Sequence, residues 1–85
     1  MPYGVLLGSA AERDRRKLSP EIRSRITQAL LALEQEPRPP GVAKLSGTAN
    51  GWRIRVGDYR ILFEVDDDAQ TVLVLRVAHR REAYR

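Results

Sequence analysis

The feature that most constrains this chain is a change of hydrophobic period part-way along it. Apolar residues recur at helical spacing as far as Leu33 and at every second position from Trp52, with the segment PRPPG at 37–41 between the two patterns. Prolines in that density cannot continue a helix, so the chain divides into a helical first half, a linker and a β-sheet second half. With 85 residues it can bury only ~60–65% of its unfolded surface, and each apolar position has to count. One domain spanning 1–85 is expected, with no internal repeat.

The helical half carries its own punctuation. Tyr3, Val5 and Leu7 alternate within a short strand. Ser9 and Glu12 have the spacing of a capping box, predicting a first helix over about 10–17. Ser19 followed by Pro20 and Glu21 predicts a second helix start, with Ser at the N-cap and Pro where its missing N–H costs nothing. Ile22, Ile26, Ala29, Leu30 and Leu33 then share one face, and the helix stops before Pro37. After Gly51 the alternation predicts three strands: a tight turn at Gly57-Asp58 joins the first two and a looser one at 66–70 joins the last two. The economical architecture is α+β, with a short N-terminal strand and a helical hairpin packed on one face of a small, mostly antiparallel sheet.

Alternation sorts the sheet into two faces. Trp52, Ile54, Val56, Tyr59, Ile61, Phe63 and Val65 fall on the side that must meet the helices. Arg53, Arg55, Arg60, Leu62 and Glu64 fall on the other. A tight Gly57-Asp58 turn sets Arg55 directly across from Arg60, an arrangement of like charges that opposes folding by roughly 0.2–1 kcal/mol. Arg76 joins this cluster if its strand pairs so that Val72, Val74 and Arg76 face outward. The functional reading is a preorganised set of forked donors for phosphate. The plainer one is a solvated face neutralised by Glu64 and nearby Asp residues.

Composition agrees with an anionic partner. Thirteen of the 15 basic residues are Arg, against 11 acidic ones, and Arg is the residue of bidentate phosphate recognition. There is no Cys and one His, which excludes a disulfide framework and leaves too few ligands for most catalytic metal sites, which use several imidazoles or thiolates. No metal or cofactor is expected. The apolar runs are far shorter than the ~20 residues of a membrane span. The N-terminus lacks the pattern of a signal peptide, so a cytoplasmic location is the default expectation. The tail 77–85 gathers His79, Arg80, Arg81 and Tyr84. Histidine is the side-chain type most suited to proton transfer near neutrality, and the arginines add anion binders.

Lys44-Leu45-Ser46-Gly47, the run 52–67 and the run 74–85 resemble the RelE/ParE toxin superfamily. The resemblance covers nearly the whole chain, and its specific part lies between Trp52 and Tyr84. It implies the RelE-like microbial RNase fold and the role of toxin in a type II toxin–antitoxin pair. RelE-like members are metal-independent endoribonucleases that cut mRNA in the ribosomal A site. Transferred to this sequence, the family's basic pair corresponds to Arg53 and Arg55, its phosphate-binding arginine to Arg60, its arginine after the last strand to Arg80, and its C-terminal tyrosine to Tyr84. Lys44, Arg76 and Arg81 join the expected RNA-binding set.

The implied partners are a cognate antitoxin and the ribosome carrying mRNA. One departure bears on mechanism: the family often has Lys where this chain has Arg53 and Arg55, and arginine stays protonated. Tyr84 and His79 are then the remaining candidates for a general base. Two other functions compete: a ParE-like inhibitor of DNA gyrase without nuclease activity, and a non-toxic binding relative.

Overall fold

The computed structural model describes residues 2–81. Its elements are β1 (Gly4–Leu7), α1 (Ser9–Arg16), α2 (Pro20–Gln35), β2 (Ala43–Lys44), β3 (Gly51–Val56), β4 (Tyr59–Asp66) and β5 (Thr71–His79). One five-stranded sheet has the order β1-β5-β4-β3-β2. β1 runs parallel to β5, and the other neighbours are antiparallel. The α+β class and the three-strand meander are as the sequence predicts. β2 is an addition, a two-residue edge strand too short to leave a periodic signal.

The helices start and stop for different reasons. Ser19 caps α2 through its hydroxyl, which accepts from the Ile22 N–H at 3.4 Å, and Pro20 occupies the first turn. The capping box at Ser9 does not form: Gly8 holds the N-cap position and no side chain caps α1. Gly8 is also the last ladder residue, its N–H donating to the Val74 carbonyl at 2.8 Å while its own carbonyl accepts from Glu12 N at 2.9 Å. The chain thus turns from strand to helix within one residue, which places Ser9 inside the helix. A Cβ on Gly8 would stand 3.2 Å from the Val74 oxygen, so the close approach favours glycine. The Glu12 carboxylate, released from capping, accepts from Arg15 at 2.8 Å.

Ile26, Leu33, Ile61, Phe63, Val65, Val72 and Val74 are fully buried between the helices and the sheet. Of the inward positions predicted on β4, Ile61, Phe63 and Val65 are therefore in the core, and Tyr59 packs around it with Trp52, Ile54 and Val56. Truncating a residue such as Phe63 to Ala would cost about 3–5 kcal/mol in lost burial and cavity formation. The proline-rich linker is tied down by side chains. Arg38 donates to both carboxylate oxygens of Asp67, at 3.1 and 2.8 Å, and its guanidinium lies 5.3 Å from the Trp52 ring centroid. Tyr3 donates to the same carboxylate at 2.7 Å, so β1, the linker and the β4–β5 turn meet at Asp67.

Candidate nucleic-acid interface

The outer face of the sheet is set by the β3–β4 hairpin. Val56 pairs with Tyr59, Arg55 with Arg60, Ile54 with Ile61 and Arg53 with Leu62. Gly57 has φ of 60° and Asp58 does not share a positive value, the pattern of a type II′ turn with glycine at its first central position. The turn brings Arg55 and Arg60 directly opposite each other, on the side away from the core. Arg55 is exposed and its Nε donates to the Gly57 carbonyl at 3.1 Å. Arg53 and Arg60 are half-buried. Guanidinium groups held on rigid strands cost less entropy to order around a phosphate than the same groups on loops.

Arg80 and Arg81 extend the basic surface past the end of β5. The Arg80 N–H donates to the Asp58 carbonyl at 2.7 Å, which holds this backbone beside the hairpin tip. Both side chains are exposed. Tyr84 lies outside the described residues.

Three sequence-predicted residues depart from the expected cluster, two by face and Arg76 by its partner. The expectation that Val72, Val74 and Arg76 face outward together is overturned: Val72 and Val74 are fully buried. A bulge parts them from Arg76. Phe63 pairs with Val74 but Leu62 pairs with Arg76, so Leu75 is an extra residue that breaks the alternation and leaves Arg76 on the Leu62 side of the sheet. The Arg76 guanidinium meets α1, where its Nε and a second nitrogen donate to Asp14 at 2.7 and 3.1 Å. Lys44 pairs with Trp52 and so belongs to the opposite face from Arg53. His79 pairs with Tyr59, again on the helix side, in an edge-to-face contact with ring centroids 5.4 Å apart. Its Nδ1 accepts from the Arg81 N–H at 3.3 Å.

Asp14 gives no motif signal in the sequence, yet it organises this end of the sheet. β1 covers the edge of β5 only as far as Val74. Beyond it, the Val77 N–H donates to the Asp14 carboxylate at 2.9 Å, replacing the absent strand partner. Burial pushes the Asp14 carboxyl upward, but the hydrogen bonds from Arg76 and Val77 and the charges of Arg76 and Lys17 outweigh it and hold the group below the usual carboxylate range.

The family described as the ParE toxin of the type II toxin–antitoxin system parDE matches residues 5–84. The chain belongs to the RelE/ParE toxin superfamily. The toxin is similar to Toxin RelG of Mycobacterium tuberculosis, with 38% identity over 86 residues that cover 100% of this chain and 99% of the relative. Its fold matches a chain of the RelBE2 toxin–antitoxin complex of the same organism, with a TM-score of 0.83, 35% identity and coverage of 94% of this chain and 100% of the other. It also matches a chain of the archaeal RelE–RelB complex of Pyrococcus horikoshii, with a TM-score of 0.84, 28% identity and coverage of 96% and 99%. The two helices on a mixed sheet are thus the architecture of this toxin family, and the Arg55–Arg60 pair sits on its meander.

Proposed function

We propose that the toxin is a metal-independent endoribonuclease that cuts mRNA in the ribosomal A site and so stops translation in the cytoplasm. The observation that carries this reading is the direct opposition of Arg55 and Arg60. Two like charges facing each other oppose folding, and binding a phosphate between them reverses the sign of the interaction. Such a site is most favourable when it holds a dianionic or charge-developing group. Cleavage at a ribose 2′-OH passes through a phosphorane-like state with more charge on its oxygens than the ground state. Arg53, Arg55 and Arg60 supply the electrostatic stabilisation, usually the largest contribution to catalysis. Arg80 approaches the scissile phosphate or the leaving 5′-oxygen, with Arg81 as a further backbone contact. Tyr84 stacks on or orients the base, or assists the 2′-OH. The product is a 2′,3′-cyclic phosphate.

A cognate antitoxin keeps the toxin silent. Complexes of the two structural relatives with their antitoxins support that reading. An acidic segment that folds on binding suits the arginine face. The match to the ParE description keeps one other reading in view, inhibition of DNA gyrase without RNA cleavage.

Programmed ribosomes with a defined A-site codon separate the two. Incubation with purified toxin should yield 3′-truncated mRNA and leave gyrase supercoiling intact. Intact mRNA together with lost supercoiling would assign the protein to the gyrase class.

A further inference from the structure

We infer that the RNA-binding surface continues over the Gly57-Asp58 tip onto the helix side of the sheet, where Arg25 takes a further phosphate of the same strand. This rests on the RNA-cleaving reading above and extends the site beyond the outer face.

The tip is flanked by guanidinium groups on both sides. Arg55 donates to the Gly57 carbonyl from β3 at 3.1 Å. Arg25, reaching across from α2, brings a guanidinium nitrogen to 3.5 Å from where a Cβ on Gly57 would stand. A charge held on each side of a two-residue turn makes one continuous positive rim, because the turn is too thin to separate their fields. Arg25 is exposed, and among the described residues it makes no ion pair within 4.0 Å, although Glu21 lies one helical turn before it. Its charge is therefore available to a ligand.

The helix side also has room for one. Arg25 opens onto a depression of about 300 Å³ walled by Ile22, Val56, Tyr59 and His79. Tyr59 and His79 meet edge to face there, and both are half-buried. Aromatic walls beside a cation are the combination that single-stranded nucleic acid uses, with stacking for a base and a charge for the backbone. On the far side of the same aromatic pair, a second depression of about 200 Å³ is lined by Lys17 and Arg76. Asp14 in its wall is already engaged by Arg76 and Val77. Among the described residues Asp58 is the one acidic residue lining the first depression, and Glu21 lines the neighbouring one beside Arg25. The position of Asp58 predicts that removing its charge strengthens binding.

Fluorescence anisotropy with a 16-nucleotide single-stranded RNA, titrated across KCl concentrations, tests the path. Arg25→Ala sits on an exposed helical position where alanine favours the helix, so folding should be retained. It should weaken binding and reduce the slope of log K against log salt by about 0.7, one phosphate's worth on a single strand. Arg25→Lys should restore the slope, and Asp58→Asn should tighten binding. An unchanged slope and affinity in Arg25→Ala would overturn the inference, as would competition by poly-glutamate at Arg25 without any effect of Arg25 on RNA. The outer-face reading is tested separately: Arg55→Ala with Arg60→Ala should weaken the same RNA, and failure there would count against the nuclease face whatever Arg25 does.

Discussion

Arg55 and Arg60 stand directly opposite each other across the β3–β4 ladder, two guanidinium groups at neighbouring positions on one face of a rigid hairpin. Opposed like charges destabilise a pair by roughly 0.2–1 kcal/mol, and salt screens the effect. Arg55→Ala should therefore leave urea stability unchanged or raise it within that range in dilute buffer, with the difference shrinking in 0.5 M salt, while growth inhibition is lost. A clear loss of stability at low salt would mean that the pair is structural.

The Asp14 carboxylate gives a stability prediction with a defined pH window. Its folded pKa is held below the ordinary aspartate value of about 3.9. A depressed carboxylate contributes stability above its unfolded pKa, and that contribution is lost as pH falls through the folded value. Acid unfolding of the wild type should steepen below about pH 4. Asp14→Ala removes the acceptor of the Val77 N–H and should cost about 1–3 kcal/mol at pH 7. The loss should fade towards low pH, where the wild-type carboxyl is itself protonated. Urea unfolding at pH 7, 5 and 3 measures both trends.

Asp67 should control how Tyr3 ionises. The hydrogen bond from Tyr3 to Asp67 raises the phenol pKa, helped by burial and by the negative charge of Asp67, while Arg38 pulls the other way. In an ultraviolet pH titration, Tyr3 should be the late-titrating tyrosine, and Asp67→Asn should bring it back towards about 10. The contribution of the phenol to stability is present below the unfolded value and is lost as pH rises through the folded one. Tyr3→Phe would identify the transition by deleting it.

Much of this fold is legible in the sequence because alternation and the proline-rich linker act locally. The inward set on β4, the Ser19 cap and the type of turn at Gly57 all follow from residues within a few positions of one another. The misplaced features depend on distant partners. Ser9 has capping chemistry, but the ladder bond between Gly8 and Val74 fixes the helix start one residue earlier. Val72, Val74 and Arg76 read as sharing one face until the Leu75 bulge, which strict alternation does not register, parts Arg76 from the two valines, and Asp14 then draws its guanidinium to α1. Lys44 and His79 are close in sequence to functional motifs, yet strand register assigns both to the other face. The arginine pair survives this test because a two-residue turn, a local feature, sets it.

His79 and Arg80 are adjacent in sequence, but their surroundings predict opposite results in a cleavage assay. Arg80 is exposed beside the hairpin tip, with its backbone held by Asp58. Removing a donor that stabilises transition-state charge typically lowers the rate by about 10²–10³-fold. Arg80→Ala should show a loss of that size in single-turnover cleavage of A-site mRNA, with an unchanged melting temperature because the backbone bond to Asp58 remains. His79 packs edge-on against Tyr59 on the side away from the Arg55–Arg60 pair. General acid–base catalysis contributes about 10²–10⁴-fold, so His79→Gln should fall well short of that loss if register keeps the imidazole from the reacting phosphate. A drop of full size in His79→Gln would instead bring the histidine to the reacting phosphate.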